Sequence, residues 1–129
     1  MKYRLKKITT ENFIFINNNL KNVEYSISPL LGKSIKKVND TLYQLTLSFR
    51  LHSDEARKAP YEIELDVSGY FELIDFNSND TKEFLNKNAV AILFPYLRSI
   101  LSSSMASLMV QPIILPIVDA SNLLDKMQK

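Results

Sequence analysis

Three sets of residues in this sequence carry side chains that could do chemistry. His52 is the only histidine, and Ser102 opens a run of three serines. Glu62, Glu64 and Asp66 alternate with apolar residues, so on a β-strand they would share one face, where neighbouring carboxylates can hold a hard cation. The same row is equally typical of a solvated sheet face.

The rest of the sequence argues against an enzyme. The serines have neither a glycine elbow nor a second histidine to complete a triad. Two glycines, Gly32 and Gly69, are too few for a phosphate-binding loop or a dinucleotide fingerprint. With no cysteine, there is no thiol nucleophile, thiolate metal site or disulfide. We therefore predict no catalytic residue, no metal site and no cofactor, and keep a small enzyme that uses His52 and the carboxylates as an alternative.

The composition is that of one globular domain. A length of 129 residues with 46% hydrophobic and 23% charged residues predicts a single domain over residues 1–129. The net charge is +2, and the basic residues between Lys2 and Lys7 are interpreted as the solvated face of a strand, not a nucleic-acid site. The N-terminus lacks the apolar segment of a secretory signal. The longest apolar run, Ala89 to Leu97 with one proline, is about half of a membrane span. We predict a cytoplasmic protein without membrane insertion.

Alternation of apolar and polar residues predicts an antiparallel sheet over about residues 2–75. The turn-prone pair Asn39-Asp40 separates two of its strands. Pro29 and Gly32 predict a break or bulge in or after the second strand, and Gly69 predicts a bulge or close packing. The predicted strands are Tyr3 to Ile16 with an interruption near residues 9–12, Val23 to Ile27, Tyr43 to Leu51, and Tyr61 to Val67.

The hydrophobic period changes to that of a helix near residue 80. Asp80 is the predicted N-cap with Glu83 as its capping-box partner, and Pro95 should kink the helix that follows. Asp119 should cap a last short helix, so the helices span about residues 80–128. The predicted fold class is α+β, with a four-stranded antiparallel sheet followed by one long and one short C-terminal helix.

Two apolar features exceed what a small core needs. The long helix is apolar on more than one stripe, and its own sheet covers only one, which predicts self-association. Residues 113–118 are an apolar stretch in a connection broken by prolines. Such a stretch either seals the core or lines a groove for a partner.

The helix and this connection resemble the SecB family of bacterial export chaperones. The run from Ile92 to Ser103, with Phe-Pro-Tyr inside a helix and a basic residue soon after it, is similar to the family's helix signature. Residues 112–118 resemble its connection, and residues 61–71 its fourth strand. The likeness is looser for the first strand (Lys7 to Phe15) and the third (Leu42 to Phe49).

The resemblance implies a homotetramer, built as a dimer of dimers through the long helices. It also implies passive holding of unfolded polypeptides or preproteins for export and delivery to the SecA motor. The implied client-binding groove comprises Tyr25, Ile27, Ile113, Ile114, Leu115, Leu123, Leu124 and Met127. The implied oligomer interface comprises Ile92, Leu93, Tyr96, Leu97, Ile100 and Leu101. The implied motor-contact face comprises Asn12, Ile16, Glu62 and Glu64.

The sequence departs from the family pattern at the motor-contact face. Asn12 and Ile16 stand where acidic residues are expected, whereas Glu64 keeps an acid. The sequence also lacks the family's acidic tail and the glycine usual before Gln111. These departures leave a second reading open, a specialised SecB-like chaperone for a dedicated client such as the antitoxin of a toxin–antitoxin system. A structural oligomer that has lost client binding is a further alternative.

Overall fold

A computed structural model describes residues 1–19, 29–54 and 58–111. Its strands are β1 (Lys2–Asn17), β2 (Leu30–Lys37), β3 (Leu42–Leu51) and β4 (Tyr61–Ile74). They form one antiparallel sheet in the order β1-β4-β3-β2, so β1 and β2 are the edges. The sheet followed by a long helix confirms the predicted α+β class; the predicted short last helix lies outside the described residues.

The two central strands follow directly from their sequence pattern. In β3 and β4, apolar residues alternate with polar ones, and the apolar set is buried. Alternation on a pleated strand places these two sets on opposite faces. The apolar face packs against the helix. The opposite face, named the open face, carries Gln44, Thr46, Ser48, Arg50, Glu62, Glu64 and Asp66.

The first strand is long but irregular. β1 pairs with β4 over its whole length, with register shifts between Leu5 and Lys7 and between Thr10 and Asn12. The second shift confirms the interruption predicted near residues 9–12. Each shift rephases the alternation, so that Ile8 and Thr10 lie on the covered face between the two shifts, and Tyr3 and Phe15 lie there on either side of them. Tyr3 and Phe15 contact aromatic rings on that face.

The second strand differs from the prediction. Val23 to Ile27 lies outside the described residues, whereas residues 30–37 form β2, where a break was expected. The predicted break at Gly32 is wrong, because this residue pairs with Ser48 in a regular register. Asn39 forms the predicted turn to β3, and its side-chain oxygen accepts hydrogen bonds from the backbone N–H groups of Thr41 and Leu42 at 3.0 and 2.9 Å.

One long helix, Ser78–Ser107, follows the sheet. It comprises α1 (Ser78–Glu83), a π-helical turn (Phe84–Asn88) and α2 (Ala89–Ser107), which continues through Pro95.

The N-cap of this helix lies three residues before the predicted one. Asn77 is the N-cap, and its side-chain oxygen accepts from the Asp80 backbone N–H at 2.7 Å. The predicted cap at Asp80 is therefore wrong, because Asp80 already lies in the first turn, where a carboxylate favours the positive end of the helix dipole.

The inner stripe of α2 forms the core with the sheet. Leu93, Leu97 and Leu101 are completely buried within this single chain. The chain's own sheet already covers these three residues of the predicted oligomer interface, so a contact with a second subunit there stays a prediction. Gly69 lies beneath Leu93, and an added Cβ there would meet Leu93 Cδ1 at 3.2 Å and Phe71 Cε2 at 3.0 Å. The glycine thus permits the close helix–sheet approach that the sequence suggested.

The end of α2 uses an unusual residue. Met109 has a φ of 59°. Its N–H donates to Ala106 O at 3.1 Å, and the Val110 N–H donates to Met105 O at 3.3 Å. This is the Schellman arrangement, whose left-handed position is usually glycine. Here a methionine takes that left-handed conformation, which disfavours side chains.

We expect Met109→Gly to raise the free energy of unfolding by about 0.5–1 kcal/mol, because glycine removes the left-handed strain at a small entropic cost. The side chain is 94% exposed, so little packing is lost. Urea unfolding measures the change. Met109→Ala is the control, since alanine keeps the strain; equal stabilisation by alanine and glycine would contradict a backbone cause.

Candidate functional site

The residues predicted for the client groove all lie outside the described part of the chain. They are Tyr25, Ile27, Ile113, Ile114, Leu115, Leu123, Leu124 and Met127. Three of them belong to the connection after the long helix, and the described residues show where that connection begins. The Tyr61 hydroxyl donates to the Gln111 backbone carbonyl at 3.1 Å, which holds the end of the helical segment at the start of β4.

The remaining predicted interface residues lie beside the core stripe of α2. Ile92, Tyr96 and Ile100 are spaced by four residues, which places them in one row on a helix. Tyr96 is 47% exposed, and the two isoleucines are partly buried. This row is named the flank row. It presents apolar surface that the sheet does not cover, so its role as an oligomer interface stays a prediction.

The predicted motor-contact residues share the open face. Antiparallel pairing sets Asn12 opposite Asp66 and Ile16 opposite Glu62, while Glu64 faces Ile14. Ile14 and Ile16 are about half exposed. The open face therefore combines carboxylates with two solvent-exposed isoleucines, of which only Ile16 was predicted. Contact of this face with a motor protein stays a prediction.

An ion pair organises the middle of this face. The Arg50 guanidinium donates to both carboxylate oxygens of Asp66, at 2.9 and 3.1 Å. Partial burial alone would raise the pKa of Asp66, but hydrogen bonds from Arg50, Ser48 and Asn12 outweigh it and lower the pKa below its ordinary value. The pKa of Arg50 is raised, first by its hydrogen bond with Asp66 and then by the negative charges of Asp66 and Glu64. Partial desolvation acts in the opposite direction and is outweighed. Asn12 thus stabilises the charged form of Asp66 through a hydrogen bond. An acidic residue in place of Asn12 would instead repel the Asp66 carboxylate.

The pKa shift of Asp66 makes stability depend on pH. Because its folded pKa is depressed, its contribution is present above the ordinary carboxyl value of 3.8 and is lost as pH falls below it. We expect Asp66→Asn to cost up to about 1 kcal/mol at pH 7 and progressively less as the pH falls below 3.8. Thermal melts of both proteins across this range measure the difference, with exposed Asp75→Asn as the matched control. A constant difference would contradict the ion-pair account.

The outer edge of β2 is a feature that sequence reasoning missed. Among the described residues no strand pairs with this edge. Three apolar side chains on or next to it are exposed: Leu30, Ile35 and Val38. An edge strand directs alternate backbone N–H and C=O groups outward, where an extended chain can pair with them. The mixture of apolar and basic residues in residues 30–38 was the sequence signal that could have indicated an exposed edge strand.

The residues that could act in catalysis or metal binding do not lie together in one site. His52 is exposed at the end of β3, and Ser102 lies on α2, away from the carboxylate row. Within the described ranges, no group of three or more histidine, aspartate or glutamate side chains is arranged to hold a metal ion. Glu62, Glu64 and Asp66 do share a face as predicted, but Asp66 is engaged by Arg50.

The helix Ser78–Ser107 is long and apolar enough to cross a membrane by length and composition. The core helix of a soluble protein meets the same criterion. Here the inner stripe that includes Leu93 and Leu97 packs on the sheet, which accounts for the apolar composition. The cytoplasmic location stays a prediction.

A four-stranded antiparallel sheet packed on one long helix is the fold of SecB-like chaperones. A SecB-like chaperone of Mycobacterium tuberculosis, solved in complex with a peptide from an antitoxin, superposes with a TM-score of 0.72 over 90% of each chain, at 10% sequence identity. The sequence profile described as preprotein translocase subunit SecB matches residues 8–129. The chain belongs to the SecB family.

Relatives from two organisms match over 72 residues, 56% of this chain. An uncharacterized protein of Methanocaldococcus jannaschii is 32% identical there, and the protein-export protein SecB of Xylella fastidiosa is 29% identical. The matched segments are 46% and 42% of those proteins. The chain thus spans about half the length of the curated relatives it matches.

Proposed function

We propose that this protein is a holdase, which binds unfolded polypeptides or preproteins without catalysis and keeps them competent for translocation. Membership of the SecB family supports this function. Within the described residues, the observation that carries it is the unpaired outer edge of β2 with its exposed Leu30, Ile35 and Val38. Backbone hydrogen bonds at a strand edge suit clients of any sequence.

The assembled state belongs to the same proposal. We expect a cytoplasmic homotetramer, a dimer of dimers that associates through the flank row of α2. The client groove would combine the edge of β2 with the predicted groove residues outside the described ranges. The apolar surface of the flank row supports association, because the chain leaves Tyr96 47% exposed and covers Ile92 and Ile100 only in part.

A dedicated client, such as the antitoxin of a toxin–antitoxin system, is the second candidate. The structural neighbour was solved with an antitoxin peptide, and on the open face Asn12 and Ile16 stand where the family has acids. A pulldown with SecA separates the two roles. Weak or absent binding favours the dedicated client, and tight, salt-sensitive binding favours export through SecA.

The holdase function is tested by refolding of a slow-folding, reduced client in the presence of the protein. We expect a several-fold molar excess of subunit to slow refolding. Ile35→Asn on the β2 edge should weaken this effect, because it removes an apolar contact beside the docking edge. Ile14→Asn on the open face of β1 is the matched control. If the wild-type protein leaves refolding unchanged, the holdase function is wrong.

A further inference from the structure

The side of β2 that faces the helix carries a basic–apolar–basic row. Lys33, Ile35 and Lys37, named the basic edge, alternate along the strand. Lys33 pairs with Leu47 and Ile35 with Leu45, and both leucines are buried in the core. Paired residues of antiparallel strands share a face. The basic edge therefore lies along the rim of the covered face, beside the unpaired backbone.

The two lysines of the basic edge are available to a charged partner. The Lys33 ammonium lies 3.4 Å from the Asn86 backbone carbonyl, which engages one of its three donors and fixes the side chain on the helix side. Lys37 is exposed. In the described part of the chain the ion pair found is Arg50–Asp66, so neither lysine is neutralised by a described carboxylate. β2 itself contains no acidic residue.

We propose that the basic edge selects its clients: it binds extended segments with an acidic, an apolar and an acidic residue at alternate positions. This inference rests on the proposed holdase function and names the class of segment it takes. The acids would face Lys33 and Lys37, and the apolar residue would face Ile35. The pattern is symmetric, so it fits a segment running in either direction.

The spacing of an added strand supports this match. Side chains on one face of a strand repeat every second residue, so three successive residues on that face of the client meet the three members of the basic edge. Directly opposed side chains have Cβ atoms about 4.5–5.5 Å apart, within reach of an ammonium–carboxylate contact. A nucleic acid would satisfy the lysines but leave both Ile35 and the outward backbone groups without a partner.

The test compares short fluorescein-labelled peptides by fluorescence anisotropy with the full-length protein. One peptide carries Asp-Ser-Ile-Ser-Asp, and its twin carries Asn-Ser-Ile-Ser-Asn. Two favourable cross-strand charge pairs predict about 2- to 30-fold tighter binding of the acidic peptide at low salt. Added salt should reduce that ratio. The double variant Lys33→Gln/Lys37→Gln should abolish it while still binding the amide peptide.

A variant that removes two positive charges elsewhere is the control. Lys2→Gln/Lys6→Gln on β1 should keep the preference for the acidic peptide, because both lysines lie on the opposite edge strand. The charge selection is overturned if both peptides bind equally, or if a single-stranded RNA competes with them and binds more tightly. In either case the holdase function still stands if the protein slows client refolding. Absence of peptide binding together with unchanged refolding overturns both.

Discussion

Leu97→Ala is expected to lower the free energy of unfolding by about 2–5 kcal/mol, because it removes buried methyl groups and leaves a cavity between α2 and the sheet. The Leu97 side chain has no exposed surface in the single chain. Against a typical total of about 5–15 kcal/mol, this loss is a large fraction. Urea unfolding should show a lower midpoint with an unchanged slope.

The matched control makes the same deletion at an exposed site. Leu30→Ala, at the start of β2, should change stability by no more than about 0.5 kcal/mol, since Leu30 is 58% exposed. The loss at Leu97 should also be the same at low and high protein concentration. A loss that grows on dilution would mean that Leu97 contacts a second subunit, as the sequence had suggested.

The central part of the fold could be predicted because each strand carries its own signal. From Tyr43 to Leu51 in β3 and from Tyr61 to Val67 in β4, apolar and polar residues alternate, and nearly all of the apolar ones are buried. β2 escaped prediction because Lys33 and Lys37 occupy positions that would be apolar in a central strand. An edge strand is only partly covered, so its side chains need not alternate in polarity.

The site could be predicted only in part, because the sequence does not say which stripe of a helix meets its own sheet. Leu93, Leu97 and Leu101 repeat every four residues, and so do Ile92, Tyr96 and Ile100 beside them. Both rows are apolar, and only the position of the helix over the sheet decides which one is buried. The helix start posed a similar choice, since Asn77 and Asp80 are both good caps.

Tyr96→Asp is expected to dissociate the assembly without unfolding the subunit. If the flank row meets another α2 helix, the new carboxylate would be buried there without a partner, at a cost of at least about 3 kcal/mol. That cost corresponds to roughly 100-fold weaker association or more. Light scattering should show the mass fall from a multiple of 14.9 kDa toward that value, while circular dichroism keeps the folded spectrum.

The control for Tyr96→Asp places the same charge on the other flank of the helix. Ala91 is exposed, and the 3.6-residue period of an α-helix sets it on the side of α2 away from the flank row. Ala91→Asp should therefore leave the mass unchanged if one flank alone carries the contact. Dissociation by both variants would extend the interface across the outer surface of the helix, and a monomeric wild-type protein would contradict association through α2. Dissociation by Tyr96→Asp, together with a loss of stability in Leu97→Ala that does not depend on concentration, would establish separate roles for two adjacent rows of one helix. The row with Leu97 would stabilise the subunit fold, and the row with Tyr96 would hold the subunits together.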